Sequence, residues 1–206
     1  MNITVKTETM VRKVIVDSIL AGICISLGGI VNLKVGGVAG AVLFSFGLIT
    51  VISYRLKLYT GISGFVRTKH DFAEIPIVIL GNVVGCLLTG ICVKYCLPDL
   101  VETAQGIVDA RLSKSFWQVI LLAAACGFIM TTVVKFAREG KWLPLLFGIP
   151  LFILCGFIHS IADAFYLSAA LSFDTLSWSV ALLYFAELIG NFIGCNLYRG
   201  MQFFAR

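Results

Sequence analysis

The sequence predicts an all-α polytopic membrane protein: six transmembrane helices in two inverted three-helix repeats, with the second and fifth helices broken. Three observations predict it. Of 206 residues, 59% are hydrophobic and only 13% charged, more apolar surface than a soluble domain of this size could hide. The apolar residues fall into six runs separated by short charged segments. A G-N-x-x-G-C pattern occurs twice, at 81–86 and 190–195, in the third and the sixth run.

Taken in order, a polar, basic head ends at Arg12-Lys13, and the first run follows from Val14 to Leu33. Gly22, Gly28 and Gly29 would let it approach a neighbouring helix closely. No short apolar segment ending in a cleavage site precedes it, so the first span is expected to be retained. The second run is Gly36 to Val66, the third Phe72 to Leu97, the fourth Phe116 to Phe136, the fifth Trp142 to Phe173 and the sixth Leu176 to Tyr198. A straight crossing takes about 20 residues, whereas the second and fifth runs reach roughly 30. Each holds helix-unfriendly material near its middle, R-L-K-L-Y-T-G-I-S-G at 55–64 and C-G-F-I-H-S at 155–160. Two half-helices around an unwound turn are therefore expected in both. Such a turn is tolerable at membrane depth only when buried in protein or lining a cavity.

The repeated G-N-x-x-G-C closes each half of the chain, so one transmembrane domain, 1–206, divides into repeats 1–97 and 114–198. Three crossings per repeat is an odd number, which inverts the second repeat and places a solute site at the midplane between the halves. Orientation follows from Lys and Arg. With an inside N-terminus, Lys6, Arg12, Lys13, Arg67, Lys69, Lys135, Arg138, Lys141, Arg199 and Arg206 are cytoplasmic. Only Lys34, Lys94, Arg111 and Lys114 are outside. That bias puts both termini in the cytoplasm of a cell that carries the protein in its inner (plasma) membrane. The outer segment from Pro98 to Ser115 reads as a long loop. The net charge of +5 reflects this topology, and no nucleic-acid partner is expected.

The centre of interest is Cys155 to Tyr166, C-G-F-I-H-S-I-A-D-A-F-Y, which carries His159 and Asp163 at membrane depth. Intramembrane ionisable groups mark pathways or sites by default, since leaving them unsolvated is costly. The other histidine, His70, lies among Arg67, Lys69 and Asp71 and reads as a solvated loop residue. The seven cysteines sit in apolar segments without a C-x-x-C pair beside histidines, so neither a metal site nor a cofactor is expected.

C-G-F-I-H-S-I-A-D-A-F resembles the fifth-helix signature of the formate/nitrite transporter family, usually G-F-E-H-S-I-A-N-M-F. K-L-Y-T-G at 57–61 resembles that family's second-helix break. The two G-N-x-x-G copies match as well, as does Lys13 ahead of A-G-I-C-I-S-L-G. These motifs occur in family order over nearly the whole chain. The resemblance implies an aquaporin-like fold, a homopentamer in membrane lipid with one pore per protomer, and passage of small weak-acid anions (formate, nitrite, hydrosulfide). Carried over by motif, His159 is the central pore histidine and Thr60 the threonine facing it. Phe44 and Phe152 form one apolar constriction, and Leu48, Leu58 and Tyr59 the other. Asn191 is the sixth-helix asparagine of the pore, and Lys13 the basic residue at the cytoplasmic mouth.

The chain departs from the family pattern at Ile158, where a glutamate is usual, and at Asp163, where an asparagine is usual. Arg55 and Lys57 stand where small or acidic residues are usual, and Glu187 lies one turn before Asn191. Arg55 and Lys57 are expected either to attract anions or to pair with Glu187 or Asp163. Two other functions compete. An aquaporin-like channel for neutral solutes would call for paired N-P-A loops, which the sequence lacks. An intramembrane enzyme using Ser160, His159 and Asp163 would call for a nucleophile signature, also lacking. Adjacent Ser and His on one helix point about 100° apart, so no enzyme is expected.

Overall fold

The chain folds as a bundle of α-helices, with no strand among the described residues. The computed structural model describes residues 3–171 and 177–204. The end expected for the fifth run at Phe173, the start of the sixth at Leu176, and Arg206 lie outside them. The helices are α1 (Ile3–Val35), α2 (Gly37–Ser53), α3 (Tyr59–Ile62), α4 (Lys69–Cys96), α5 (Val101–Leu112), α6 (Phe116–Arg138), α7 (Leu143–Leu154), α8 (Ser160–Ala170) and α9 (Trp178–Phe204).

Several boundaries differ from expectation for local reasons. Helix α1 begins well before Val14, because the polar head holds neither glycine nor proline to stop it. It turns directly into α2 at Gly36, whose φ of 67° suits a residue without a side chain. Helix α4 starts at Lys69 because Thr68 and Asp71 form a capping box. The Asp71 backbone N–H donates to Thr68 Oγ1, and the Thr68 N–H donates to Asp71 Oδ2. His70 is consequently helical and exposed, with Nδ1 3.6 Å from Glu74. Ser115 and Gln118 cap α6 in the same way.

The expected outer loop is a correction. Residues 101–112 form α5, a helix whose buried positions Ala104 and Val108 continue the row begun by Leu100. That four-residue spacing is a helical face. The charges Glu102, Asp109 and Arg111 around it made the segment read as loop. Helix α5 lies across α8 and α9, and Asp99, just ahead of it, pairs with Lys34 at the end of α1. The Lys34 ammonium holds the Asp99 carboxyl below the usual carboxylate range. A depressed carboxylate stabilises above its unfolded-state pKa and loses that contribution as pH falls through the folded one. Protection of the α5 backbone amides, measured against the intrinsic exchange rate at each pH, should therefore fall modestly on acidification, and Asp99→Asn should hold it at that lower level at every pH. An unchanged exchange profile in the variant would show that the pair does not tether α5.

Among the described residues, four helices are long and apolar enough to cross a membrane: α4, α6, α9 and the Glu8–Val35 part of α1. Two pairs form the frame, α1 with α4 and α6 with α9, and small residues set both crossings. A side chain at Gly85 would strike the Ile19 carbonyl, and one at Gly194 the Ala124 carbonyl. Backbones approach this closely only where a Cβ is missing. Between the two pairs lie the shorter segments α2–α3 and α7–α8, which carry the site.

Candidate functional site

The helix ends at Ser53 and resumes at Tyr59, and again ends at Leu154 and resumes at Ser160. The two interruptions are built alike. In the first, Arg55 takes φ 56° and the Leu56 N–H returns to the Val51 carbonyl at 2.9 Å. In the second, Gly156 takes φ 69° and the Phe157 N–H returns to the Phe152 carbonyl at 2.9 Å. Gly156 adopts that conformation freely, whereas Arg55 holds it at about 1–2 kcal/mol of strain.

Each interruption leaves buried backbone groups without helix partners, and one asparagine serves each. At the first, Asn82 Oδ1 accepts from the Tyr59 N–H (2.9 Å), while Nδ2 donates to the Ser18 (2.7 Å) and Lys57 (2.8 Å) carbonyls. At the second, Asn191 Oδ1 accepts from the Ser160 N–H (2.9 Å), while Nδ2 donates to the Ala123 and Ile158 carbonyls (2.8 Å each). Both amide hydrogens of each asparagine are thus committed to backbone. Asn191, expected in the pore, instead holds the residues on either side of His159.

His159 stands where the chain re-enters helix. Its Nδ1 accepts the Ala162 N–H at 3.0 Å and so caps α8. An accepting Nδ1 carries no proton, which assigns the ring proton to Nε2, 2.8 Å from Thr60 Oγ1. The ring also stacks on Phe152 at 5.7 Å, and Phe152 meets Phe44 edge-on at 6.0 Å. All four residues are buried.

Two cavities approach this cluster. One, of about 530 Å³, is lined by Leu48, Arg55, Lys57, Leu58, Arg138 and neighbours. The other, of about 320 Å³, is lined by Asn32, Arg111, Phe152, His159, Asp163, Tyr166 and neighbours. The Lys57 N–H reaches the Asp17 carbonyl at the first, and Asn32 lies at the second. Those two α1 positions are fifteen residues, or about 22 Å, apart along the helix, so the cavities open at opposite ends. Leu48 and Leu58 line the first cavity and Phe152 and His159 the second, with Thr60 against His159 and Phe44 against Phe152. Six of the residues singled out in the sequence thus form one buried line.

The others fall elsewhere. Tyr59 points to α9, its hydroxyl donating to the Leu188 carbonyl at 2.7 Å. Lys13 is exposed and pairs with Asp17 at 2.6 Å, one turn outward from the first cavity. Lys57 pairs with Glu74 of α4 at 2.8 Å rather than with Glu187 or Asp163. Arg55 is exposed in the wall of the first cavity. Asp163 belongs to Arg111, whose Nε donates to its Oδ2 at 2.8 Å. Glu187 is fully buried beside this pair, its oxygens making no hydrogen bond among the described residues.

Three participants were missed by sequence reasoning. Asn82 was readable from the repeat that contains it. Arg138, lying over the Phe65 ring at 4.0 Å in the first cavity, was counted only as a topology marker. Arg111 was hidden by the reading of α5 as loop.

Comparison with known proteins gives consistent results. The model of the family described as formate/nitrite transporter matches residues 2–205. The chain is 26% identical to the transporter YrhG of Bacillus subtilis (strain 168) over 231 residues, covering 97% of this chain and 86% of that protein. It is 25% identical over 234 residues to the formate channel BtFdhC of Bacillus thuringiensis, covering 97% and 89%. Among solved structures, a pentameric formate channel with formate bound superposes with a TM-score of 0.83 at 19% identity, over 96% of this chain and 98% of that one. An ion channel of the same family gives 0.81 at 18%, over 93% and 88%.

Proposed function

The chain belongs to the formate/nitrite transporter family, and we propose that it is a channel for small monovalent weak-acid anions, formate first, with nitrite and hydrosulfide as further substrates. The observation that carries this reading is the His159–Thr60 contact at the junction of two oppositely opening cavities, closed by apolar side chains on both sides. The six-crossing plan belongs to the same proposal. Helices α2 with α3 and α7 with α8 make the two interrupted crossings. The matching turns at Arg55 and Gly156, and the matching Asn82 and Asn191 clamps, support an inverted repeat of 1–97 and 114–198 on an aquaporin-like plan. The exposed apolar faces that include Phe46, Leu80, Trp117, Leu121 and Phe147 would meet lipid and, in a homopentamer, neighbouring copies. Both termini are assigned to the cytoplasm of the inner membrane, which makes the Arg55 cavity the inner vestibule and the Arg111 cavity the outer one.

The mechanism follows from the cost of dehydrating an anion. Leucines and phenylalanines exclude a hydrated ion, and a bare charge between apolar walls is penalised by several kcal/mol. The inner vestibule, lined by Arg55 and Arg138, raises the local anion concentration, while Arg111 in the outer vestibule and Lys13 at the inner mouth are each balanced by a paired carboxylate. At the centre, the neutral His159 ring offers Nε2–H, with the Thr60 hydroxyl beside it, as hydrogen-bond donors to the passing oxygen. Protonating Nδ1 as well would break the cap on α8, so His159 acts as a donor rather than as an acid. Asn82 and Asn191 position the turns. The same geometry speaks against an enzyme, since both ring nitrogens are directed at Ala162 and Thr60 and neither at Ser160.

The test is influx of formate, nitrite and hydrosulfide into proteoliposomes of the full chain, compared with glycerol and water permeation of the same vesicles. Rapid formate influx with glycerol entry no faster than in protein-free vesicles is expected. Glycerol or water entry without anion influx would favour a neutral-solute channel and overturn the proposal.

A further inference from the structure

The Arg111–Asp163 pair faces the cavity that ends on His159, and the established family membership assigns it no role. Arg111 comes from α5, outside the interrupted crossings, and its side chain is 15% exposed. Its Nε donates to Asp163 Oδ2, and one Nη donates to the Gly156 carbonyl at 3.0 Å. A guanidinium has five N–H groups, so two are engaged and three have no acceptor among the described residues, in a side chain that lines the cavity. Tyr166 lines the same space. Its hydroxyl accepts from Asn32 Nδ2 at 3.3 Å, which leaves its own proton without an acceptor among the described residues. Ile107, Ile153 and Phe157 complete an apolar wall that strengthens any charge interaction inside it.

From this arrangement we infer that Arg111 is an anion-binding station, occupied by a planar monovalent oxyanion that competes with Asp163 for the guanidinium. The inference deepens the channel reading and rests on it. A planar two-oxygen anion matches the guanidinium fork, receiving parallel hydrogen bonds that a single ammonium cannot offer. The Tyr166 hydroxyl supplies a further donor. Asp163 is the built-in rival: it holds the guanidinium in place when the station is empty and gives up part of it when an anion arrives.

This arrangement separates from a purely structural ion pair by the sign of one variant. A structural pair loses the same thing when either partner is removed, so Arg111→Gln and Asp163→Asn would act alike. A station makes them opposite. The measurement is the concentration dependence of initial labelled-formate influx into proteoliposomes of the full chain. Arg111→Gln should raise the half-saturating concentration about tenfold or more, and Arg111→Lys should raise it less. Asp163→Asn should lower it severalfold, and the double variant should follow Arg111→Gln. A rise in Asp163→Asn, or no change in Arg111→Gln, overturns the station. Should Arg111→Gln fail to assemble, Arg111→Lys and Asp163→Asn still decide by their opposite signs. Absence of influx in the unmodified protein would instead remove the channel reading, and the station with it.

Discussion

Formate influx should fall about a hundredfold when His159 is replaced by alanine, because the substitution removes the donor that lies between the two apolar constrictions of the path. Losses of this order follow removal of a single preorganised hydrogen-bond donor from a water-excluded site. His159→Ala also removes the cap on α8, at about 1 kcal/mol, so a fall in flux alone would leave two explanations. His159→Asn separates them. An asparagine side-chain oxygen at the same position can accept the Ala162 N–H and keep the cap, but it lacks the ring that stacks on Phe152 and reaches Thr60. The expected pattern is a larger loss of thermal stability in His159→Ala than in His159→Asn, with conduction lost in both. Thr60→Val, which keeps the shape and removes the hydroxyl, should lower influx by a smaller factor and leave the α8 cap untouched. Wild-type influx in His159→Asn would show that capping is the whole role of the histidine, and the proposed conduction mechanism would be withdrawn.

That His159 and Thr60, 99 residues apart, would face each other came from the family resemblance; the residues themselves marked only that each lies where a long apolar run could not continue as helix. Hydropathy, glycine placement and run length carry that information locally. Phe44 and Leu48 were singled out by the resemblance alone, since two apolar residues one turn apart on a helix otherwise read as core packing. Pairing between distant charges was not legible. Lys57 met Glu74 and Asp163 met Arg111, partners chosen by the three-dimensional approach of α4 and α5, on which a linear charge pattern is silent. The residue at 111 was out of reach because a row of small buried side chains, Leu100, Ala104 and Val108, gives a weak apolar signal amid charges. Asn191 presents the opposite case. Its type and place suggested a solute contact, yet an interrupted helix creates orphan backbone groups, and a buried amide is well suited to satisfy them.

Those orphan groups also set the last expectation. Replacing Asn191 with leucine would leave the Ser160 N–H and the Ile158 carbonyl buried and unpaired, while the Ala123 carbonyl keeps its partner within α6. Each unsatisfied group is destabilising by about 1–3 kcal/mol. With two such groups and partial relaxation of the turn, the expected total is roughly 2–4 kcal/mol, above what most single substitutions do. Asn82→Leu should be destabilising by a similar amount, since it strands the Tyr59 N–H and the Lys57 carbonyl. The two clamps share no partner, so their effects on stability should add. Their effects on conduction should differ, because Asn191 holds the residues flanking His159 and Asn82 those flanking Leu58. Loosening the first moves the donor out of line. Loosening the second widens an apolar ring, which should admit larger anions before it abolishes flux. Denaturation in detergent, read alongside influx of formate and of a bulkier monocarboxylate, distinguishes these outcomes. If Asn191→Leu kept full stability while changing which anion passes, the amide would have to face the solute after all, and the three backbone bonds would be incidental to its role.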